Sequence, residues 1–178
     1  NYCSGQITDI NFQSDVPGTT FSWTVTSTDV AGATAGNGMS ITQNLSTNGV
    51  SGSVTYVVTP TNNGCDGSPI SIEVNVSATP IPQIKDGQLC VLGNGTFGIT
   101  PYILDTELNN VDYSFEWFFN GNPIANASNT TFSANQLGQY GVLATDNVSG
   151  CASELVAVNV SEFPKAQSIA VVQSQDFS

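Results

Sequence analysis

The stretch YSFEWFFNGNPIA at 113–125 constrains the fold more than any other part of the chain. Tyr113, Phe115, Trp117 and Phe119 share one parity and are all aromatic. Ser114, Glu116 and Asn120 share the other parity and are polar, with Phe118 the exception. Side chains on a strand alternate between faces, so this pattern predicts a strand with one buried face. Asn120-Gly121 follows at once and predicts a tight hairpin, since both residue types tolerate the left-handed backbone such a turn needs. Gly138-Gln139-Tyr140 then opens another alternating run.

The first half carries the same theme. Phe21, Trp23 and Val25 alternate with Ser22, Thr24 and Thr26, and Tyr56 lies downstream. A Trp on a central strand with a later Tyr is the core signature of an immunoglobulin-like β-sandwich. The expected core is therefore built on Trp23 and Tyr56 in one half, and Trp117 and Tyr140 in the other. Helix formers are scarce while Thr, Ser, Asn, Val and Gly abound, which favours strands and turns throughout. The fold class read from the chain is all-β: tandem immunoglobulin-like sandwich modules with one disulfide each.

The four cysteines are Cys3, Cys65, Cys90 and Cys151. The intervals Cys3 to Cys65 and Cys90 to Cys151 differ by a single residue, so the spacing predicts one bridge per module, Cys3–Cys65 and Cys90–Cys151. Each bridge would tie a module's opening segment to its last turn, at one end of the sandwich. The offsets Cys3 to Cys90 and Cys65 to Cys151 give a repeat of about 85 residues. The boundaries expected are 1–79 for the first module, 80–162 for the second and 163–178 for the start of a third. Residues 78–82, with two prolines, form a short semi-rigid linker. Disulfides place the chain in an oxidising compartment, secreted or on a cell surface. No signal peptide opens it, and it reads as a segment of a longer secreted protein.

Several local expectations follow. Asp15-Val16-Pro17-Gly18 is a turn, 29–38 a loop, 39–45 a strand, and 53–59 a strand closed by Pro60. In the second half, Asn94-Gly95 is a turn, 97–99 a strand and 102–112 an acidic loop. A third module begins at 169–172.

The charge balance excludes some partners. The chain has 14 Asp plus Glu against 2 Lys plus Arg, a net charge of −12. Nucleic acid and anionic membrane surfaces both need a cationic face. There is no apolar run long enough to insert directly into a membrane. Without any His, Ser-His-Asp catalysis and His-based zinc sites are excluded. No phosphate loop opens a helix. The chain reads as non-enzymatic, with no cofactor. Three features remain. Phe118 has the outward parity of the Trp strand and is a candidate interaction residue, unless the hairpin through Pro123 and Ile124 covers it. Asp105, Glu107 and Asp112 form either a solvated loop or a Ca²⁺ site. The two Trp residues read as core, with a sugar platform as the alternative.

Some motifs resemble a known class. Tyr2-Cys3-Ser4-Gly5, Val16-Pro17-Gly18-Thr19-Thr20-Phe21-Ser22-Trp23 and the run from Val54 to Cys65 resemble the PKD-like repeats of Bacteroidota cell-surface proteins. The second half, with Glu116-Trp117-Phe118-Phe119-Asn120-Gly121 and Gly138-Gln139-Tyr140-Gly141-Val142, resembles the immunoglobulin-like repeats beside them. Proteins of this kind are often substrates of type IX secretion, and some are gliding-motility adhesins. The resemblance implies a non-catalytic extracellular repeat segment of a large bacterial adhesin, serving as a stalk or adhesion module. Its implied partners are neighbouring repeats, surface glycans or secretion-system components. The alternative is an accessory carbohydrate-binding or spacer module of a secreted enzyme.

Overall fold

A computed structural model describes residues 1–90 and 100–164. The expected turn at Asn94-Gly95, the strand at 97–99 and the third-module start at 169–172 lie outside the described residues. The first half holds the strands Tyr2–Cys3 (β1), Ile10–Asn11 (β2), Thr20–Thr28 (β3), Gly36–Asn37 (β4), Ser40–Ile41 (β5), Gly52–Asn62 (β6), Cys65–Asp66 (β7) and Ile70–Ser77 (β8). The second half holds Gly87–Leu89 (β9), Tyr102–Asp105 (β10), Tyr113–Phe119 (β11), Asn122–Pro123 (β12), Thr131–Ala134 (β13), Gly138–Asp146 (β14) and Val156–Glu162 (β15).

Two sheets form in each half. In the first, the order is β1-β8-β6-β3-β4, with β7 on β6, and β2 pairs β5 separately. In the second, the order is β12-β11-β14-β15-β9, and β10 pairs β13. In both halves the opening strand runs parallel to the closing one, β1 with β8 and β9 with β15. The other pairings within these sheets are antiparallel.

The buried apolar residues fall into two clusters. One is built on Phe21, Trp23, Ile41, Leu45, Val54 and Tyr56. The other is built on Leu104, Phe115, Trp117, Ala134, Tyr140 and Val142. Trp117 and Tyr56 are fully buried, and Trp23 and Tyr140 nearly so. Each indole N–H reaches a backbone carbonyl on the chain beyond its own strand: Trp23 Nε1 donates to Thr34 O at 3.1 Å, Trp117 Nε1 to Asn129 O at 2.9 Å. That satisfies the one polar atom of each buried ring. A ring chain links Trp117 to Phe132 and Phe132 to Tyr140, with centroids 5.4 and 5.7 Å apart. With Trp117 fully enclosed, a sugar platform on it is excluded.

Local chemistry explains the turns. Asn120 and Gly121 both take positive φ, 48° and 79°, joining Phe119 to Asn122. This is the primed hairpin turn that matches strand twist. Thr19 N–H donates to Val16 O at 3.4 Å, with Pro17 and Gly18 between them in the positions a type II turn prefers.

Four local expectations need correction. The interval 29–38 is not all loop: Gly36–Asn37 pairs with Ser22 and Trp23. A Cβ on Gly36 would stand 2.9 Å from the Trp23 ring, so the indole itself selects glycine there and leaves no apolar pattern to read. The strand expected over 39–45 shrinks to Ser40–Ile41. Pro60 does not close its strand, because β6 runs on to Asn62. The Pro60 carbonyl accepts from Gly67 on the side away from β3, so its missing N–H faces that same side and removes no bond to β3. Within 102–112, Tyr102–Asp105 is a strand, with Leu104 buried and Ile103 exposed.

Candidate functional site: a covalent junction between the two halves

The disulfide expectation is overturned. Cys3 is bonded to Cys151, with Cα atoms 5.5 Å apart and a sequence separation of 148. Cys65 and Cys90 are exposed thiols. The reason is directional. Cys3 ends β1, which runs parallel to β8, and stands beside Ser77 at the far end of β8. Cys65 pairs with Asn62 at the opposite end of β6. β6 has 11 residues, and at about 3.4 Å each that separates the two cysteines by roughly 30 Å. A disulfide needs Cα atoms within about 7 Å. The same argument separates Cys90, beyond the Glu162 end of β15, from Cys151 at the other end. Each half thus has one cysteine at either end of its long axis, and the bridge closes between halves.

Both sides of the bridge are held by backbone bonds. On the first half, Ser4 N–H donates to Ser77 O and Gly5 N–H to Leu45 O, each at 2.8 Å. The Cys3 N–H donates to Gln6 Oε1 at 2.9 Å. Ser4 Oγ accepts from Thr47 N–H at 2.9 Å. The segment after β1 is therefore strapped across the trailing end of the half. On the second half, the turn 146–151 is built on Asp146. Its Oδ1 accepts from Ser149 N–H at 2.7 Å, Ser149 Oγ at 2.9 Å and Val148 N–H at 3.0 Å. Hydrogen bonds from the Ser149 N–H first, then its hydroxyl, hold the Asp146 carboxyl below its ordinary value. Asp146 N–H donates to Cys151 O at 2.9 Å, and Cys151 is 2% exposed. Asn147 ties the turn to the neighbouring loop through Asp112 O and Val111 O.

The linker is packed. Pro80, Pro82 and Ile84 are buried in alternation, and Gln83 N–H donates to Thr106 O at 2.9 Å. Ala78 N–H donates to Ser51 Oγ at 3.0 Å. A cleft at the junction draws Gly49, Ser51 and Ala78 from one side and Leu108, Tyr113 and Asp146 from the other.

The remaining sequence candidates sit elsewhere. Phe118 is half-buried, with Pro123 and Gly141 as its cross-strand partners. Asp105, Glu107 and Asp112 are engaged separately. Asp105 Oδ1 accepts from Glu107 N–H, Glu107 pairs with Lys85 at 2.7 Å, and Asp112 Oδ2 accepts from Asn109 Nδ2. Among the described residues, no three acidic or thiol groups are arranged to hold a metal ion. No described helix is long and apolar enough to cross a membrane. Sequence reasoning missed Asp146, whose acceptor role shows only once the Asp-Asn-Val-Ser turn is seen closed on itself.

Residues 1–80 match the family described as PKD-like domain. No curated protein matches the chain. Among solved structures, the N-terminal Ig1-2 module of Drosophila receptor protein tyrosine phosphatase DLAR is 14% identical, covers 92% of this chain and 93% of its own, and has a TM-score of 0.35. Sidekick-1 immunoglobulin domains 1–4 are 13% identical, covering 93% of this chain and 46% of theirs at a TM-score of 0.30. The cadherin-like domains 1 to 4 of zebrafish RET are 14% identical, covering 83% and 42% at 0.27. Modules of the immunoglobulin and PKD-like kind are generally non-catalytic. Such modules, and disulfides, are typical of extracellular proteins.

Proposed function

We propose that this chain is a load-bearing stalk segment of an extracellular adhesin, made of two sandwich modules spanning 1–79 and 80–162. The resemblance to PKD-like repeats of bacterial surface proteins supports the class of parent, a cell-surface protein carried out by type IX secretion. Neighbouring repeats are its first partners, and surface glycans are candidates for the adhesive contact.

The observation that carries the reading is the path that force would take. A pull between residues 1 and 178 enters at Cys3, crosses the sulfur–sulfur bond to Cys151 and leaves along β15. Residues 4–150 lie inside the covalent loop and cannot lengthen. Over the 148-residue separation at about 3.4 Å per residue, the bond withholds roughly 500 Å of chain. Single-molecule pulling between the ends checks this. The oxidised chain should give only a short extension, and reduction should release a further length of roughly 500 Å. An extra length on reduction far short of roughly 500 Å would mean that the bond does not carry the load, and would overturn the stalk reading.

A further inference from the structure

The pairing registers assign every cysteine a structural equivalent. Trp23 pairs with Val58 and Trp117 with Val142. Val58 pairs with Ile70 and Val142 with Val156. Counting forward equally from Ile70 and Val156 reaches Val76 and Glu162, whose parallel partners are Tyr2 and Leu89. The next residues are Cys3 and Cys90, so these two are equivalent. At the other end, Thr61 pairs with Asp66 and Thr145 bridges Ala152. The residues just before those partners are Cys65 and Cys151, again equivalent, and each follows a glycine in a left-handed turn position. The one bond formed joins the trailing-end cysteine of one half to the turn cysteine of the next. Translating that bond by one module in either direction lands on Cys90 and on Cys65, the two exposed thiols.

We infer that Cys65 and Cys90 are the open halves of the same staple. Cys65 takes a trailing-end cysteine from the module before it, and Cys90 takes a turn cysteine from the module after it. A second copy of this chain, placed head to tail, presents both. The end of β6 that carries Cys65 has exposed apolar side chains: Val16, 49% exposed, precedes the Pro17 whose carbonyl accepts from Asn62 Nδ2, and Met39, 57% exposed, lines a groove with Thr61. The chemistry is thiol–disulfide exchange with a small-molecule disulfide as oxidant. Two thiols lose two protons and two electrons to form one bond, and the oxidant is reduced to two thiols. Such a contact uses different surfaces on its two sides, so copies add head to tail. This deepens the stalk reading and rests on its head-to-tail order. The pulling experiment reads only the internal Cys3–Cys151 bond, so the two can fail independently.

Complementation tests it. Cys65→Ser and Cys90→Ser chains are each incubated alone and mixed, in a glutathione redox buffer. Each variant should melt as the parent does, since both positions are exposed. The mixture should form a covalent dimer, and mass mapping should show Cys65 joined to Cys90 with Cys3–Cys151 retained. Either variant alone should give at least about tenfold less dimer, a preference that corresponds to about 1.4 kcal/mol. The unsubstituted chain should give a ladder of longer species. The inference is overturned if either variant dimerises alone as well as the mixture does, if the mixture stays monomeric, or if Cys65 is found joined to Cys3.

Discussion

Trp117 is the largest fully buried side chain of the second half. Replacing it with Ala removes an entire indole and leaves the Asn129 carbonyl without its donor. Truncations of this size cost about 3–5 kcal/mol, against about 5–15 kcal/mol for a whole small domain. The two buried clusters share no residue, so the loss should stay local. In Trp117→Ala, amide exchange should accelerate across β10 to β15 while β3, β6 and β8 keep their protection. Equal acceleration in both halves would make the chain one cooperative unit and remove the boundary at 79/80. Thr8 shows that polar residues also serve the core. It is fully buried, its hydroxyl donates to Ile41 O at 2.9 Å, and it accepts from Gln43 N–H at 2.9 Å. Both lone-pair and proton demands are thereby met inside the sandwich.

At the scale of elements, long alternating strands were legible and short ones were not. β3, β11 and β14 carry strong parity patterns, and Asn120-Gly121 names its own turn. β4 is silent, because a glycine pressed on Trp23 shows no hydrophobic signal. The cysteine pairing was illegible for a different reason. Equal intervals are unchanged when every bond is shifted by one half of the chain, so spacing cannot separate a bridge within a half from one between halves. What separates them is the parallel pairing of β1 with β8, which puts the first cysteine at the far end from the turn. The turn 146–151 then deserves its own test. Because bonds to Ser149 and Val148 favour the ionised Asp146, its folded pKa lies below its unfolded one. The stabilisation is fully present above the usual carboxylate range, near about 4, and is lost as pH falls through the lowered folded value. A carbon NMR titration should find the Asp146 carboxyl protonating below that range, with Val148 and Ser149 amide protection fading over the same interval. Protonation at the ordinary value would refute the anchoring role.

Across the whole molecule, the bridge changes what a cut in the backbone means. Exposed loops such as that around Val111, 84% exposed, are where proteases act. A hydrolysed peptide bond anywhere from residue 4 to 150 leaves both pieces attached, because each still holds one of the bonded cysteines. The sheets on either side of the nick keep their pairing, since closing strands are anchored through Cys151 and opening ones through Cys3. Limited digestion should therefore yield a nicked species that migrates as one chain until reductant is added and as two pieces afterwards. Separate pieces without reductant would mean the bond had not formed. A filament assembled from such units would stay continuous after wounds that sever an ordinary polypeptide.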